Sequence, residues 1–188
     1  MQSSRSAQLR RLAFVGLLGA AGLVTPAAQA ADVVFGPHDV ATVFFIAKST
    51  DGNHADYGIR LDATCSPVND DALIMYWREL DKTPVRTHGF SLLDRIPYGV
   101  SDQRVTQRSD SGGEYAVRLK QFTRPIAITT KKEPDGRCSA TARSTINGGT
   151  AQLLSVFAKL SGPLSVDYID VFGKDLATGA SITERIKK

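Results

Sequence analysis

The stretch RSDSGGEYAVRL, residues 108–119, determines the fold class because it joins a turn signal to an alternating segment. Asp110-Ser111-Gly112-Gly113 has the residue types of a tight hairpin turn, in which glycine accepts a positive φ at little steric cost. After the turn, Tyr115, Val117 and Leu119 alternate with charged or small residues. This period of two indicates a half-buried strand, so the stretch predicts a β-hairpin.

The same tetrad also surrounds the nucleophile of chymotrypsin-like serine proteases, which offers a catalytic interpretation of Ser111. A serine nucleophile needs a histidine base and a carboxylate that orients it. The histidines of this chain are His38, His54 and His88, and none has the sequence context of that protease family. The chain is also too short for the paired barrels of those enzymes. We therefore interpret Ser111 as a turn residue.

Alternating or apolar segments separated by turn signals recur along the rest of the chain. Residues 54–62 alternate, with Ala55, Tyr57, Ile59 and Leu61 on one face. Other segments have strand composition: 42–48, 73–80, 126–130, 138–146, 152–160, 164–172 and 181–186. We predict an all-β fold, either an antiparallel β-sandwich or a barrel of about nine or ten strands. Residues 81–97 form its one long irregular connection, in which Ser91–Arg95 has room for a single helical turn.

The first thirty residues have the pattern of a targeting segment. Arg5, Arg10 and Arg11 precede an apolar run over residues 12–24, and the small-residue site Ala28-Gln29-Ala30 follows. This order predicts a signal peptide over residues 1–30, cleaved near Ala30, and a periplasmic or secreted protein. Residues 31–188 then form a single all-β domain with no transmembrane segment.

Removal of the predicted signal peptide changes the charge of the chain. The full sequence has 23 Lys and Arg against 19 Asp and Glu, and the signal peptide carries three arginines and no acid. The mature chain therefore has a net charge close to neutral. This balance, with scattered basic residues, gives no support for nucleic acid as a partner.

Cys65 and Cys138 are the two cysteines of the chain, and both lie in the predicted exported part. Two lone cysteines in an oxidising compartment most often pair, so we predict one disulfide. The alternative is a metal-binding or catalytic thiol. It would need a histidine or acid partner, and neither cysteine has one nearby in sequence.

The strand over residues 73–80 and its surroundings supply the candidate site residues. In one interpretation Trp77 fills the core while Arg78 and Glu79 mark the solvated end of the strand. In the other, Arg78 joins Arg60 in a polar pocket, and Glu79 orients an acidic or planar ligand. Tyr98, after the long connection, completes the candidate ligand-binding set. No motif for catalysis, a metal or a cofactor is present, and His54 with Asp56 lacks a third metal ligand.

Several segments together resemble one known family. They are VFFIAKSTDGNHADYGIRLD (residues 43–62), MYWREL (75–80), Tyr98-Gly99-Val100, and VDYIDVFGKDLATGASITE (166–184). The chain resembles a family of exported bacterial proteins designated domain-of-unknown-function family 4833. The family carries no assigned activity or ligand. The resemblance therefore implies a small exported domain built on these strands and adds no catalytic residue.

These observations leave two main hypotheses for the function. The first is a monomeric binding or interaction module of the bacterial cell envelope, whose partner is a small molecule or an envelope protein. The alternative is a hydrolase that uses a polar pocket around Arg60, Arg78 and Glu79.

Overall fold

The computed structural model describes residues 31–162 and 165–187, so the predicted signal peptide lies outside the described residues. The described residues form eleven strands. They are β1 (Val40–Lys48), β2 (His54–Ile59), β3 (Leu73–Glu79), β4 (Arg86–Gly89), β5 (Val100–Ser109), β6 (Gly112–Leu119), β7 (Ile126–Lys132), β8 (Cys138–Ile146), β9 (Gly149–Leu160), β10 (Val166–Asp175) and β11 (Ser181–Lys187). They include no α-helix, and hence none able to cross a membrane. The all-β prediction is confirmed.

The long strand β9 is the branch point of the sheet. Its first residues pair with β8, from Gly149 opposite Ile146 onward. Its later residues pair with β1, where Ser155 lies opposite Phe45. We call β1-β2-β3-β4 the first branch and β8-β7-β6-β5 the second branch. β10 follows β9 along its other edge, and β11 pairs with β10.

Three details differ from the sequence-based prediction. The sheet is mixed rather than purely antiparallel, because β1 and β9 run parallel to each other. The sheet is open, with β4 and β5 at the ends of its two branches. The predicted irregular connection over residues 81–97 contains β4, an additional strand paired with β3. Its sequence RTHG is short and polar, so no apolar alternation signals a strand there.

The two branches share one hydrophobic core. Phe44 and Tyr57 of the first branch stack with their ring centroids 4.6 Å apart. Tyr115 and Val117 of β6 and Ile128 of β7 belong to the same buried cluster. Tyr57, Tyr115 and Val117 are buried, as the alternation of their segments predicted. Hydrophobic burial between the two branches therefore orients the strands that form the site.

The hairpin predicted around Ser111 is confirmed. β5 ends at Ser109 opposite Gly112, the first residue of β6, so Ser111 lies in the turn. Gly112 has a φ of +143°, and a Cβ at that position would lie 2.1 Å from the carbonyl oxygen of Thr130. The Ser66 hydroxyl lies 2.6 Å from the carbonyl oxygen of Gly112. The tetrad therefore has a structural role, because it forms the turn and allows close packing of β6 against β7.

The predicted disulfide is also confirmed. Cys65 and Cys138 are bonded, and they connect the segment after β2 to the first residue of β8. The Thr130 hydroxyl on β7 donates a 2.7 Å hydrogen bond to the carbonyl oxygen of Cys65. The covalent bond and this hydrogen bond hold the two branches together far from β9.

Replacement of both Cys65 and Cys138 by alanine is expected to lower the free energy of unfolding by about 4 kcal/mol, because the bond closes a long loop in the unfolded chain. Urea denaturation of residues 31–188, monitored by Trp77 fluorescence, measures the loss. A reductant should destabilise the wild type similarly and leave the double variant unchanged. A wild type whose denaturation midpoint ignores the reductant would contradict the prediction.

A carboxylate ties β11 to the second branch. Arg124 donates two hydrogen bonds to the Glu184 carboxylate, at 2.6 and 2.8 Å. The backbone N–H of Asn147 donates a third at 2.6 Å. The Arg124 guanidinium, followed by the Asn147 amide, lowers the pKa of Glu184 to about 2. The ionised form of Glu184 is therefore the one that the fold stabilises.

Replacement of Glu184 by glutamine is expected to make the free energy of unfolding depend less steeply on pH in acid solution. Because the pKa of Glu184 is depressed on folding, its contribution is complete above the unfolded pKa of 4.5 and disappears as the pH falls towards about 2. Urea midpoints measured between these two values should fall more steeply for the wild type than for Glu184→Gln. Glu114→Gln, which removes an exposed carboxylate 3.6 Å from Arg143, is the control for a weak surface pair and should flatten this pH dependence less than Glu184→Gln.

Candidate functional site

The structure separates the three residues of the predicted polar pocket. Arg78 lies opposite His54 in the β2–β3 register. Arg60 follows six positions beyond His54, which corresponds to roughly 20 Å along an extended strand. Glu79 points to the opposite face of β3 from Arg78, since successive side chains of a strand alternate. Arg60, Arg78 and Glu79 therefore do not converge on one pocket.

Arg78 is engaged by a buried carboxylate on the outer face of the first branch. Its Nε and NH2 atoms donate hydrogen bonds of 3.1 and 2.8 Å to Asp56. Asp56 is fully buried, and the Thr42 hydroxyl also donates to it at 3.0 Å. Burial lowers the pKa of the neighbouring His54, which favours its neutral ring. This cluster therefore neutralises an internal charge, which supports a structural role for Arg78.

Replacement of Arg78 by alanine is expected to lower the free energy of unfolding by about 3 kcal/mol, because it leaves the buried Asp56 charge without a partner. Chemical denaturation measures the loss, and Asp56→Asn in the same chain should recover part of it. Arg104→Ala is the matched control, since its pair with Asp102 is exposed and contributes less than about 1 kcal/mol. Equal losses for the two arginines would show that the buried pair has no special role.

Glu79 lies beside His88 rather than in the cluster around Arg78 and Asp56. Its carboxylate is 3.7 Å from Nε2 of His88, the residue opposite Trp77 on β4. Both line an open groove of about 900 Å³. The groove is bordered by Asp32, Val85, Arg86, Thr87, Ser91 and Asp94. Its lining carries charged groups of both signs.

The structure brings the other two candidate residues together at a different place. The rings of Trp77 and Tyr98 meet edge to face with their centroids 5.1 Å apart. Lys48 places its Nζ 4.3 Å from the centroid of the Trp77 ring. These residues border a cleft of about 550 Å³, which we call the Trp77 cleft. Its lining residues are Lys48, Thr50, Trp77, Leu93, Asp94, Pro97, Tyr98, Leu160 and Gly162.

Two walls of the Trp77 cleft, Trp77 and Lys48, owe their positions to the alternation of side chains along β3 and β1. Trp77 is an inward residue of β3 and is only 6% exposed. Lys48 is the last residue of β1 and shares the inward parity of Phe44 and Ile46. Its ammonium pairs with Asp51 at 2.9 Å. The Lys48 ammonium thus contacts both the face of the indole ring and the Asp51 carboxylate.

A capped turn places the third wall. The backbone N–H and hydroxyl of Ser91 donate to the Asp94 carboxylate at 2.8 and 2.6 Å. The Tyr98 N–H then donates to the Asp94 carbonyl at 3.0 Å, and the Tyr57 hydroxyl donates to the Tyr98 carbonyl at 2.8 Å. A Cβ on Gly99 would lie 2.3 Å from a backbone oxygen of the same turn. Hydrogen bonds at both its N–H and its carbonyl therefore fix the backbone of Tyr98.

The Trp77 cleft combines aromatic surface with a few polar groups. Burial, and then the negative charges of Asp51 and Asp94, raise the pKa of Tyr98 to about 12. Its hydroxyl therefore remains a neutral donor at physiological pH. The cleft lining also offers the Lys48 ammonium and the Thr50 hydroxyl, and contains neither histidine nor cysteine. Within the described ranges, no group of three or more His, Cys, Asp or Glu side chains is arranged to hold a metal ion.

Sequence reasoning selected Trp77 and Tyr98 but missed their neighbours. Lys48 carried a usable signal, because it ends an apolar segment at an inward position of β1. Leu160 carried none, since its place in the cleft depends on the parallel pairing of β1 with β9. The candidate site is thus assembled from segments that are distant in sequence.

Comparison with known proteins identifies the family. The family described as Domain of unknown function (DUF4833) matches residues 44–185. The chain belongs to this family. The resemblance seen in the sequence is confirmed, and the DUF4833 match spans every residue that lines the Trp77 cleft. No curated protein and no solved structure matches the chain significantly.

Proposed function

We propose that this DUF4833 chain is an exported, monomeric binding module of the bacterial cell envelope whose ligand site is the Trp77 cleft. The observation that carries the proposal is the convergence of Trp77, Tyr98 and Lys48 on one open cleft of about 550 Å³. Small-molecule sites commonly have volumes of about 300–1,000 Å³ and combine apolar walls with a few polar groups. The cleft has both properties, which favours a small molecule over an envelope protein as its ligand.

The arrangement of polar groups favours binding over catalysis. A hydrolytic site needs a nucleophile or an activated water beside a general base. Arg60, Arg78 and Glu79 lie at separate places, and Arg78 is committed to Asp56. The Trp77 cleft supplies a cation, hydroxyl groups and aromatic surface, and these groups orient a ligand.

Two observations support the exported location within this proposal. The Cys65–Cys138 disulfide is typical of a protein from an oxidising compartment. The pattern of residues 1–30 is that of a secretory signal peptide. A ligand available in the periplasm or outside the cell is therefore the appropriate type to test.

A fragment screen by ligand-observed NMR on the mature protein tests the proposal. A subset of small molecules should bind, and Thr50→Phe, which places a ring in the Trp77 cleft, should weaken these binders roughly tenfold or more, equivalent to about 1.4 kcal/mol. Thr106→Phe, the same change on the exposed surface of β5, is the control and should leave them bound. The absence of any binder, or binders that ignore Thr50→Phe, would overturn the proposal.

A further inference from the structure

A small apolar recess lies beside the Trp77 cleft. It has a volume of about 50 Å³. Pro97, Tyr98 and Leu160 line both the recess and the cleft, so the two are adjacent. The remaining lining residues are Ile46, Gln121, Phe122, Val156, Ala158, Val166 and Ile169. Gln121 and the Tyr98 hydroxyl are the polar side-chain groups of a lining that is otherwise apolar.

The recess lies beside the half of β9 that pairs with β1. Ala158 of β9 faces Lys48 on one neighbouring strand and Ile169 on the other. A small alanine between two longer inward side chains leaves space beside the core. An unfilled apolar cavity destabilises a protein, because its lining atoms lose dispersion contacts. A recess of this kind beside an open cleft is suited to an apolar group from a ligand.

The size of the recess restricts that apolar group. A cavity of about 150 Å³ lined by apolar side chains accommodates a benzene ring. The recess of about 50 Å³ is too small for a ring but accepts the terminal carbons of an unbranched chain. The rest of such a chain would lie in the wider cleft against Trp77 and Leu160.

The charged residues of the cleft indicate the other end of the ligand. Lys48 lies opposite Ala158, so its strand position adjoins the recess. Asp94 is the other charged lining residue, and its Oδ2 atom accepts both Ser91 hydrogen bonds. Asp51, the partner of Lys48, lies outside the cleft lining on a surface turn. An anionic ligand group would therefore replace Asp51, 2.9 Å from Nζ, as the partner of the Lys48 ammonium.

We propose that the Trp77 cleft binds unbranched acyl chains that carry a carboxylate, with the chain terminus in the recess and the carboxylate at Lys48. This inference rests on the proposed function and specifies its ligand class. The chain gains affinity from apolar burial, and the cation selects an acid over an amine of the same length. Octanoate is a suitable probe because it has both features and is soluble.

Trp77 provides the readout, because it is the only tryptophan of the chain. Octanoate should shift the Trp77 emission saturably in the wild-type mature protein. Butanoate should bind at least roughly tenfold more weakly, because each methylene removed from the buried chain lowers affinity about threefold to fourfold. Octylamine should also bind more weakly than octanoate, since its ammonium cannot take the place of Asp51 as the partner of Lys48. Equal affinities for the three compounds would overturn the proposal.

Two substitutions test the two ends of the ligand separately. Ala158→Val adds two methyl groups inside the recess and should weaken octanoate binding roughly tenfold. Its matched control is Ala127→Val on the exposed surface of β7, which should leave the affinity unchanged. Lys48→Met preserves the apolar cover of Trp77 but should remove the preference for octanoate over octylamine. Lys174→Met, the same change at an exposed position of β10, should retain that preference.

The outcomes distinguish this inference from the proposed function. Fragments that bind in the Trp77 cleft while octanoate does not would overturn the acyl-chain assignment and leave the binding module intact. The absence of any binder would overturn both. Octanoate binding of equal strength in wild type and in a folded Ala158→Val variant, checked by near-ultraviolet circular dichroism, would place the chain outside the recess. The butanoate comparison uses the wild type alone, so it does not depend on the folding of a variant.

Discussion

The pairing of β9 with three other strands is the constraint on which the rest of the structure depends. One edge of β9 is occupied by β10, while β8 and β1 share the other edge in succession. A strand has only two edges of hydrogen-bonding groups, so β8 and β1 cannot both extend along its full length. The sheet therefore divides, and its two branches cover each other's apolar faces. This division explains why the fold has one core without the closed ring of a barrel.

Far from β9, the branches are held together by the segment between β2 and β3. Cys65 in this segment is bonded to Cys138 on β8, and the Ser66 hydroxyl contacts the β5–β6 hairpin. The Tyr115 hydroxyl on β6 donates to the carbonyl of Asp70 at 2.7 Å. These contacts provide hydrogen-bond partners for the buried side chains of Ser66 and Tyr115. A covalent bond and directional hydrogen bonds thus reinforce what hydrophobic burial brings together.

The candidate site depends on the same division of the sheet. The parallel pairing places Ala158 opposite Lys48, and the antiparallel pairing places Ile169 on its other side. The capped turn before Gly99 then brings Tyr98 against Trp77 and forms a wall that no strand supplies. The cleft lies beyond the part of β9 that pairs with β8, so its shape depends on the division of the sheet into two branches. Arg78, by contrast, lies on the outer face and stabilises Asp56.

The sequence by itself determined the local structure, because alternation and turn chemistry act between residues close in the chain. It was sufficient for the all-β class, the hairpin around Ser111, the inward faces of β2 and β6, and the pairing of two lone cysteines. It also selected Trp77 and Tyr98, whose rings meet in the structure. Only the tertiary structure decided that β1 runs parallel to β9, that Arg78 binds Asp56, and that Lys48 completes the cleft. Those contacts join distant segments, and their register depends on how the whole apolar surface is buried, which no local pattern of residues encodes.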